Sequence, residues 1–168
     1  MEEKILVEID RRQEELVRLL QDLVRIPSES SDTDGNEHEC QMFVAEYLKK
    51  IGLDVDIFSP VEVKGVKDHP IYNSKKRYEN RPNVVGTWHG KRKKPRLLLA
   101  AHADVVSPED ISRWRYGPWS GTVADGKVYG RGAQDDKSGI AAMLFASKVL
   151  KELGFEPQGD LYLASVVG

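Results

Sequence analysis

Leu97-Leu98-Leu99-Ala100-Ala101-His102-Ala103-Asp104 is the stretch on which the fold turns. Five apolar residues in succession leave no polar face, the pattern of a strand covered on both sides and therefore central in a sheet. The run opens directly into an imidazole and a carboxylate. Residues i and i+2 of an extended segment point the same way, so His102 and Asp104 share one site at the C-terminal end of that strand. Open α/β sheets bind their ligands there. By itself the pair admits a metal-bound histidine beside an acid, a histidine oriented by aspartate as a general base, or a structural pair.

Working outward, residues 138–153 are rich in Ala, Leu and Met and predict a helix closed by Gly154, and Leu161–Val167 reads as a second buried strand. Strand, helix and strand in that order make a crossover unit, so the fold class is α/β with a mostly parallel central sheet and flanking helices. Between them, Thr122-Val123-Ala124 and Lys127-Val128-Tyr129 flank Asp125-Gly126, a two-residue hairpin signal.

Upstream, Ile5, Ile9, Leu16, Leu20 and Leu23 follow helical spacing over residues 3–25, and Pro27 stops that helix. After a polar loop (28–36), Asn36 caps a second helix with Glu39 as its capping-box partner. That helix turns Cys40, Phe43, Tyr47, Leu48 and Ile51 inward and ends at Gly52. Leu53, Val55 and Ile57 alternate with acids as a strand with one wet face, residues 59–82 show no period and form an excursion, and 83–88 is a strand.

At 168 residues, 40% apolar and 31% charged, the chain has the length and composition of one globular domain. The net charge of −2 names no partner. It hides an uneven distribution, because residues 64–96 hold 11 Lys and Arg against Asp68 and Glu79. The basic run 91–96 reads as a solvated turn between apolar strands, and the absence of interleaved aromatics argues against a nucleic-acid surface. Cys40 is the one cysteine, the charged N-terminus has no signal-peptide pattern, and no apolar run approaches the ~18 residues of a membrane span. These features predict a cytoplasmic protein with no membrane partner.

The second chemical cluster is Tyr129-Gly130-Arg131-Gly132-Ala133-Gln134-Asp135-Asp136-Lys137, which follows the hairpin and opens the 138–153 helix. Its glycines allow a tight turn and a close backbone approach to a ligand. Asp135 falls at a helix N-terminus, where an anion is favoured, and a carboxylate can bridge two divalent cations. Helix capping is the plainer role for Asp135 and Asp136. A dinucleotide fingerprint is rejected, since the third glycine is missing and the motif follows a hairpin rather than a buried strand. In loop 105–119, Arg113, Trp114, Arg115 and Trp119, with Gln134 beyond it, either line a substrate side or pack over the hairpin.

With both clusters in view, residues 97–168 resemble the M20 metallopeptidases, in the branch containing acetylornithine deacetylase and succinyl-diaminopimelate desuccinylase. The pieces carrying the resemblance are LLLAAHADVV (97–106), WSGTVADGKVYGRGAQDDKSGIAAML (119–144) and GDLYLASVVG (159–168). LVRIPSES (23–30) is similar to the family's opening helix and loop.

The resemblance implies a zinc-exopeptidase-like catalytic domain that hydrolyses amide bonds of N-acyl amino acids or short peptides. It implies His102 as a metal ligand, Asp104 as the catalytic-site acid that orients it, and Asp135 as the carboxylate bridging two divalent ions, with zinc expected and cobalt or manganese as alternatives. Asp136 fills a variable family position, Lys137 matches a recurrent lysine with an electrostatic or structural role, and His38, His69 and His89 match no motif position. The family's general-base glutamate would follow Gly168, and its other ligands and dimerising lid domain lie beyond. Residues 1–168 are therefore expected to be the N-terminal part of one metallohydrolase catalytic domain, inactive alone, from a family of homodimers. The competing expectation is a non-catalytic binding module using 91–96. The strand 161–167, with nothing after it to cover it, predicts marginal stability and association.

Overall fold

A computed structural model describes residues 2–70, 72–92 and 94–168; Lys93 of the basic run and residue 71 of the excursion lie outside the described residues. Among the described residues, four helices, α1 (Glu2–Arg11), α2 (Gln13–Arg25), α3 (His38–Lys50) and α4 (Lys137–Glu152), accompany six strands. Four of these, β1 (Asp54–Phe58), β2 (Asn83–Trp88), β3 (Pro95–His102) and β6 (Asp160–Val166), form one sheet in the order β1-β2-β6-β3. β4 (Thr122–Ala124) and β5 (Lys127–Tyr129) form the expected hairpin, with positive φ at both Asp125 and Gly126, as such a turn requires.

The α/β class and the crossover are as expected: β3 and β6 pair in parallel and α4 connects them. The sheet is mixed rather than mostly parallel, because β1–β2 and β2–β6 are antiparallel. One apolar cluster fills the space between helices and sheet, drawing Leu19 and Leu23 from α2, Val44 and Leu48 from α3, Ile140 and Leu144 from α4, and Val84 and Leu163 from the sheet. Along β2, Val84, Gly86 and Trp88 are buried in alternation. A side chain at Gly86 would meet Leu48 at 2.9 Å, so the glycine lets α3 lie close on the sheet.

Three further expectations are corrected. β3 is expected at the centre and 161–167 uncovered; among the described residues it is β6 that is paired on both sides and β3 on one. β6 lies between β2 and β3 with Leu163, Ala164 and Ser165 buried, while β3 is an edge strand with Leu98 62% exposed. An unbroken apolar run reports how oily a strand's faces are and carries nothing about which hydrogen-bonding edge is paired.

The helix read as 3–25 breaks at Arg12. There the guanidinium pairs with Glu15 and reaches Glu152 on α4, and Lys148 of α4 pairs with Glu15 in turn. This cluster spans two helices far apart in sequence, so periodicity within 3–25 could not register it. Third, Asn36 does not cap α3. Glu37 holds the N-cap position without a side-chain capping bond, because its carboxylate is engaged elsewhere.

Among the described residues of the excursion 59–82, the regular structure is two short 3-10 turns, at Pro60–Glu62 and Val66–Asp68. The basic run turns from β2 into β3 beside residues 156–160, with Lys91 paired to Glu156 at 2.9 Å. Among the described residues no helix is long and apolar enough to cross a membrane.

Candidate metal centre

β3 ends in His102, and the chain then runs on as Ala103, Asp104 and Val105, held on both sides by backbone hydrogen bonds. Ala103 N–H donates to Val166 on one flank, and Val105 N–H donates to Ser28 on the other. Opposite lies the loop from Gly130 to Asp135. Its glycines serve close approach to protein rather than to a ligand: a Cβ on Gly132 would lie 2.5 Å from Val105 Cγ1, and one on Gly130 would lie 2.2 Å from Val24 Cγ1. Gly132 also has φ +79, which side-chain-bearing residues rarely adopt. The loop thus closes onto the strand end, and the two segments wall a cleft of about 530 Å3 lined by His102, Asp104, Arg131, Gln134 and Asp135.

His102 and Asp135, read separately from two motifs, meet there. His102 Nε2 is 3.0 Å from Asp135 Oδ1. The other ring nitrogen, Nδ1, lies 3.0 Å from the backbone carbonyl of Asp104 and 3.5 Å from its carboxylate. The backbone carbonyl is therefore the nearer orienting acceptor, and Asp104 Oδ1 accepts the Gly168 N–H at 2.9 Å. With Nδ1 donating, the Nε2 lone pair faces a carboxylate oxygen. Two acceptors at that distance require a cation between them, either a proton on the imidazole or a metal ion. Burial alone would disfavour a charged His102, but the acceptors at Asp104 and Asp135 outweigh it and raise the pKa.

The donor set also suits a divalent metal: one imidazole nitrogen whose partner nitrogen is held by the Asp104 carbonyl, and one carboxylate, 87% exposed, that lines the cleft. Metal–ligand bonds of about 2.0–2.2 Å fit two donors so spaced. Among the described residues, no group of three or more His, Cys, Asp or Glu is gathered to hold a metal.

Asp136 takes the N-cap position of α4 without a side-chain capping bond, and its Oδ2 accepts the His102 backbone N–H at 3.3 Å. Lys137 is wholly buried, donating to the carbonyls of Leu23 at 2.9 Å and Ile26 at 2.6 Å, and burial lowers its pKa.

The loop aromatics pack over the hairpin and its cations. Tyr116 meets Tyr129 edge-on, the Arg131 guanidinium lies over Trp114, and Lys137 Nζ lies 5.8 Å from the Trp119 ring centroid. Arg115 pairs with Asp125, and Gln134 alone of the suggested substrate-side residues lines the cleft. His89 sits at the surface against Asp54, and His38 opens α3 exposed to solvent.

Sequence reading missed the group behind Asp104. Arg81 and Glu37 form a fully buried pair there, with Ser28 and Ser30 alongside. No spacing rule links residues 37 and 81, and in the sequence Arg81 is only one of the 11 cations of 64–96.

The sequence profile of peptidase family M20/M25/M40 matches residues 98–168, the segment that carries both halves of this centre. The chain belongs to the M20 metallohydrolase family. It is 33% identical over 168 residues to N-formyl-4-amino-5-aminomethyl-2-methylpyrimidine deformylase of Halalkalibacterium halodurans, covering 99% of this chain and 35% of that protein. It is 35% identical over 136 residues to succinyl-diaminopimelate desuccinylase of Blochmanniella floridana, covering 80% and 30%. The chain thus spans about a third of the length of the curated relatives it matches.

Human carnosine dipeptidase 1 superposes with a TM-score of 0.77 at 22% identity, over 98% of this chain and 34% of that one. The M20 metallo-carboxypeptidase Sso-CP2 of Sulfolobus solfataricus gives 0.68 at 24%, over 90% and 30%. At those identities the match speaks for the M20 fold alone.

Proposed function

We propose that residues 1–168 are the N-terminal part of the catalytic domain of a di-metal amidohydrolase acting on an N-acyl amino acid or a short peptide. The observation that carries this is the 3.0 Å approach of His102 Nε2 to Asp135 Oδ1, with the opposite ring nitrogen tied to Asp104. The names of the relatives point the same way, since a deformylase and a desuccinylase each remove an acyl group.

In this reading His102 and Asp135 would hold the divalent metal, His102 through Nε2 and Asp135 through its carboxylate, while Asp104 would keep the Nδ1–H tautomer and the ring orientation. Bound divalent metal supplies Lewis-acid polarisation of the scissile carbonyl and an activated water. A zinc ion takes about four ligands, of which the described residues contribute His102 and Asp135. This chain by itself is accordingly proposed to bind metal weakly and to turn over nothing. A reducing, cytoplasmic setting goes with the buried free thiol of Cys40.

Calorimetric titration with zinc or cobalt tests the assignment. The wild-type chain binds weakly, and His102→Ala and Asp135→Ala each abolish that binding. Equal affinity in wild type and His102→Ala overturns it.

A further inference from the structure

The segment that presents His102 is gripped from two sides by chain that has no direct contact with the cleft. On one flank, Ser28 Oγ donates to the Ala103 carbonyl at 2.6 Å, Val105 N–H donates to Ser28 O at 2.9 Å, and Ser30 N–H donates to Val105 O at 2.8 Å. On the other, Ala103 N–H donates to Val166 O and Gly168 N–H donates to Asp104 Oδ1, both at 2.9 Å. One side chain joins the two flanks: Arg81 Nη2 reaches Ser30 Oγ at 3.0 Å and the Gly168 carbonyl at 2.8 Å.

The guanidinium is itself immobilised. Nε and Nη2 engage the two oxygens of Glu37 at 2.8 and 2.6 Å, and Nη1 donates to the Arg77 carbonyl at 2.9 Å. Arg81 is 1% exposed and Glu37 is not exposed at all. Gly35 makes room for the pair, because a Cβ there would come within 2.6 Å of both side chains. A fork of five N–H donors in one plane suits this task, and an ammonium cannot span the same acceptors.

We infer that Arg81, braced by Glu37, is a positioning residue for the metal centre: it ties the 28–30 and 166–168 segments together around Ala103–Val105 and so sets the tautomer and aim of His102. This rests on the proposed metal-binding role of His102. Partners behind a metal-binding histidine commonly change metal affinity 10–100-fold when removed, and here that partner layer is itself held by Arg81.

The test uses two variants of this chain. Arg81→Lys keeps the charge and loses the fork. Arg81→Met combined with Glu37→Met removes the pair together, a replacement that often leaves stability intact. The readouts are the His102 tautomer, from long-range proton–nitrogen NMR at a pH above its titration, and the affinity for Co2+. Folded variants are expected to show a mixed tautomer in place of uniform Nδ1–H and about tenfold weaker Co2+ binding.

A folded variant with the wild-type His102 spectrum and wild-type Co2+ affinity overturns the inference. So does failure of both variants to fold, which would make the pair a requirement of folding rather than of positioning. If wild type binds Co2+ no better than His102→Ala, the metal reading fails, while the tautomer still decides the role of Arg81.

Discussion

Two buried cations stand behind the two halves of the candidate centre, and their surroundings differ. Arg81, behind His102 and Asp104, is matched by the buried carboxylate of Glu37 at the N-cap of α3, so its charge is neutralised by a full opposite charge. Lys137, two residues past Asp135, forms no ion pair with a carboxylate among the described residues. It is met by the Leu23 and Ile26 carbonyls at the C-terminal end of α2 and by the face of Trp119. A helix C-terminus is electronegative and has carbonyls to spare, so partial charges suffice for an ammonium whose pKa burial has already lowered. A guanidinium stays charged wherever it is placed, and at Arg81 a full counter-charge is present.

The difference predicts unequal costs of removal. The largest effect is expected for Arg81→Met alone, which strands the Glu37 carboxylate in the interior. By the usual cost of breaking a buried pair, it loses about 3–5 kcal/mol, read from urea or thermal unfolding. Lys137→Met strands two carbonyls and no charge, so a loss of about 1–3 kcal/mol is expected by the same measurement. Equal losses at the two sites would break the comparison.

The smallest effect is a pH slope on the Lys137 side only. Burial pushes the neighbouring Cys40 thiol up, with Lys137 opposing. Above the ordinary thiol pKa the unfolded chain has released the Cys40 proton while the folded chain keeps it. The unfolded state then binds fewer protons, so stability falls as pH rises up to the folded pKa. Across that alkaline range the unfolding free energy of wild type should fall relative to that of Cys40→Ala, a difference that cancels the opposing contribution of the lowered Lys137 pKa. An unchanged slope would remove Cys40 from the account.

The same contrast separates what could be read early from what could not. His102 and Asp135 were legible because each belongs to a local pattern, a strand running into His-x-Asp and a glycine-rich loop opening a helix. The hairpin was legible because Asp125-Gly126 suits positive φ at both positions. Arg81 and Glu37 were not, since their partnership is made by the packing of an aperiodic loop against the start of α3. Glu37 shows the cost of local rules: capping logic selected Asn36, while the neighbouring carboxylate had a partner 44 residues away.

Sequence alone determined the α/β class, the β3–α4–β6 crossover, the family, and the residue types that face one another across the cleft. Each of these depends on short-range order: periodicity, turn chemistry and motif spacing. Only the tertiary structure decided that, among the described residues, β6 is paired on both sides and β3 on one, that α1 and α2 part at Arg12, and that the segment carrying His102 is backed by a buried ion pair. Strand order and buried pairing depend on which distant surfaces meet. The free energy of those contacts lies between segments, where no window along the chain can sample it.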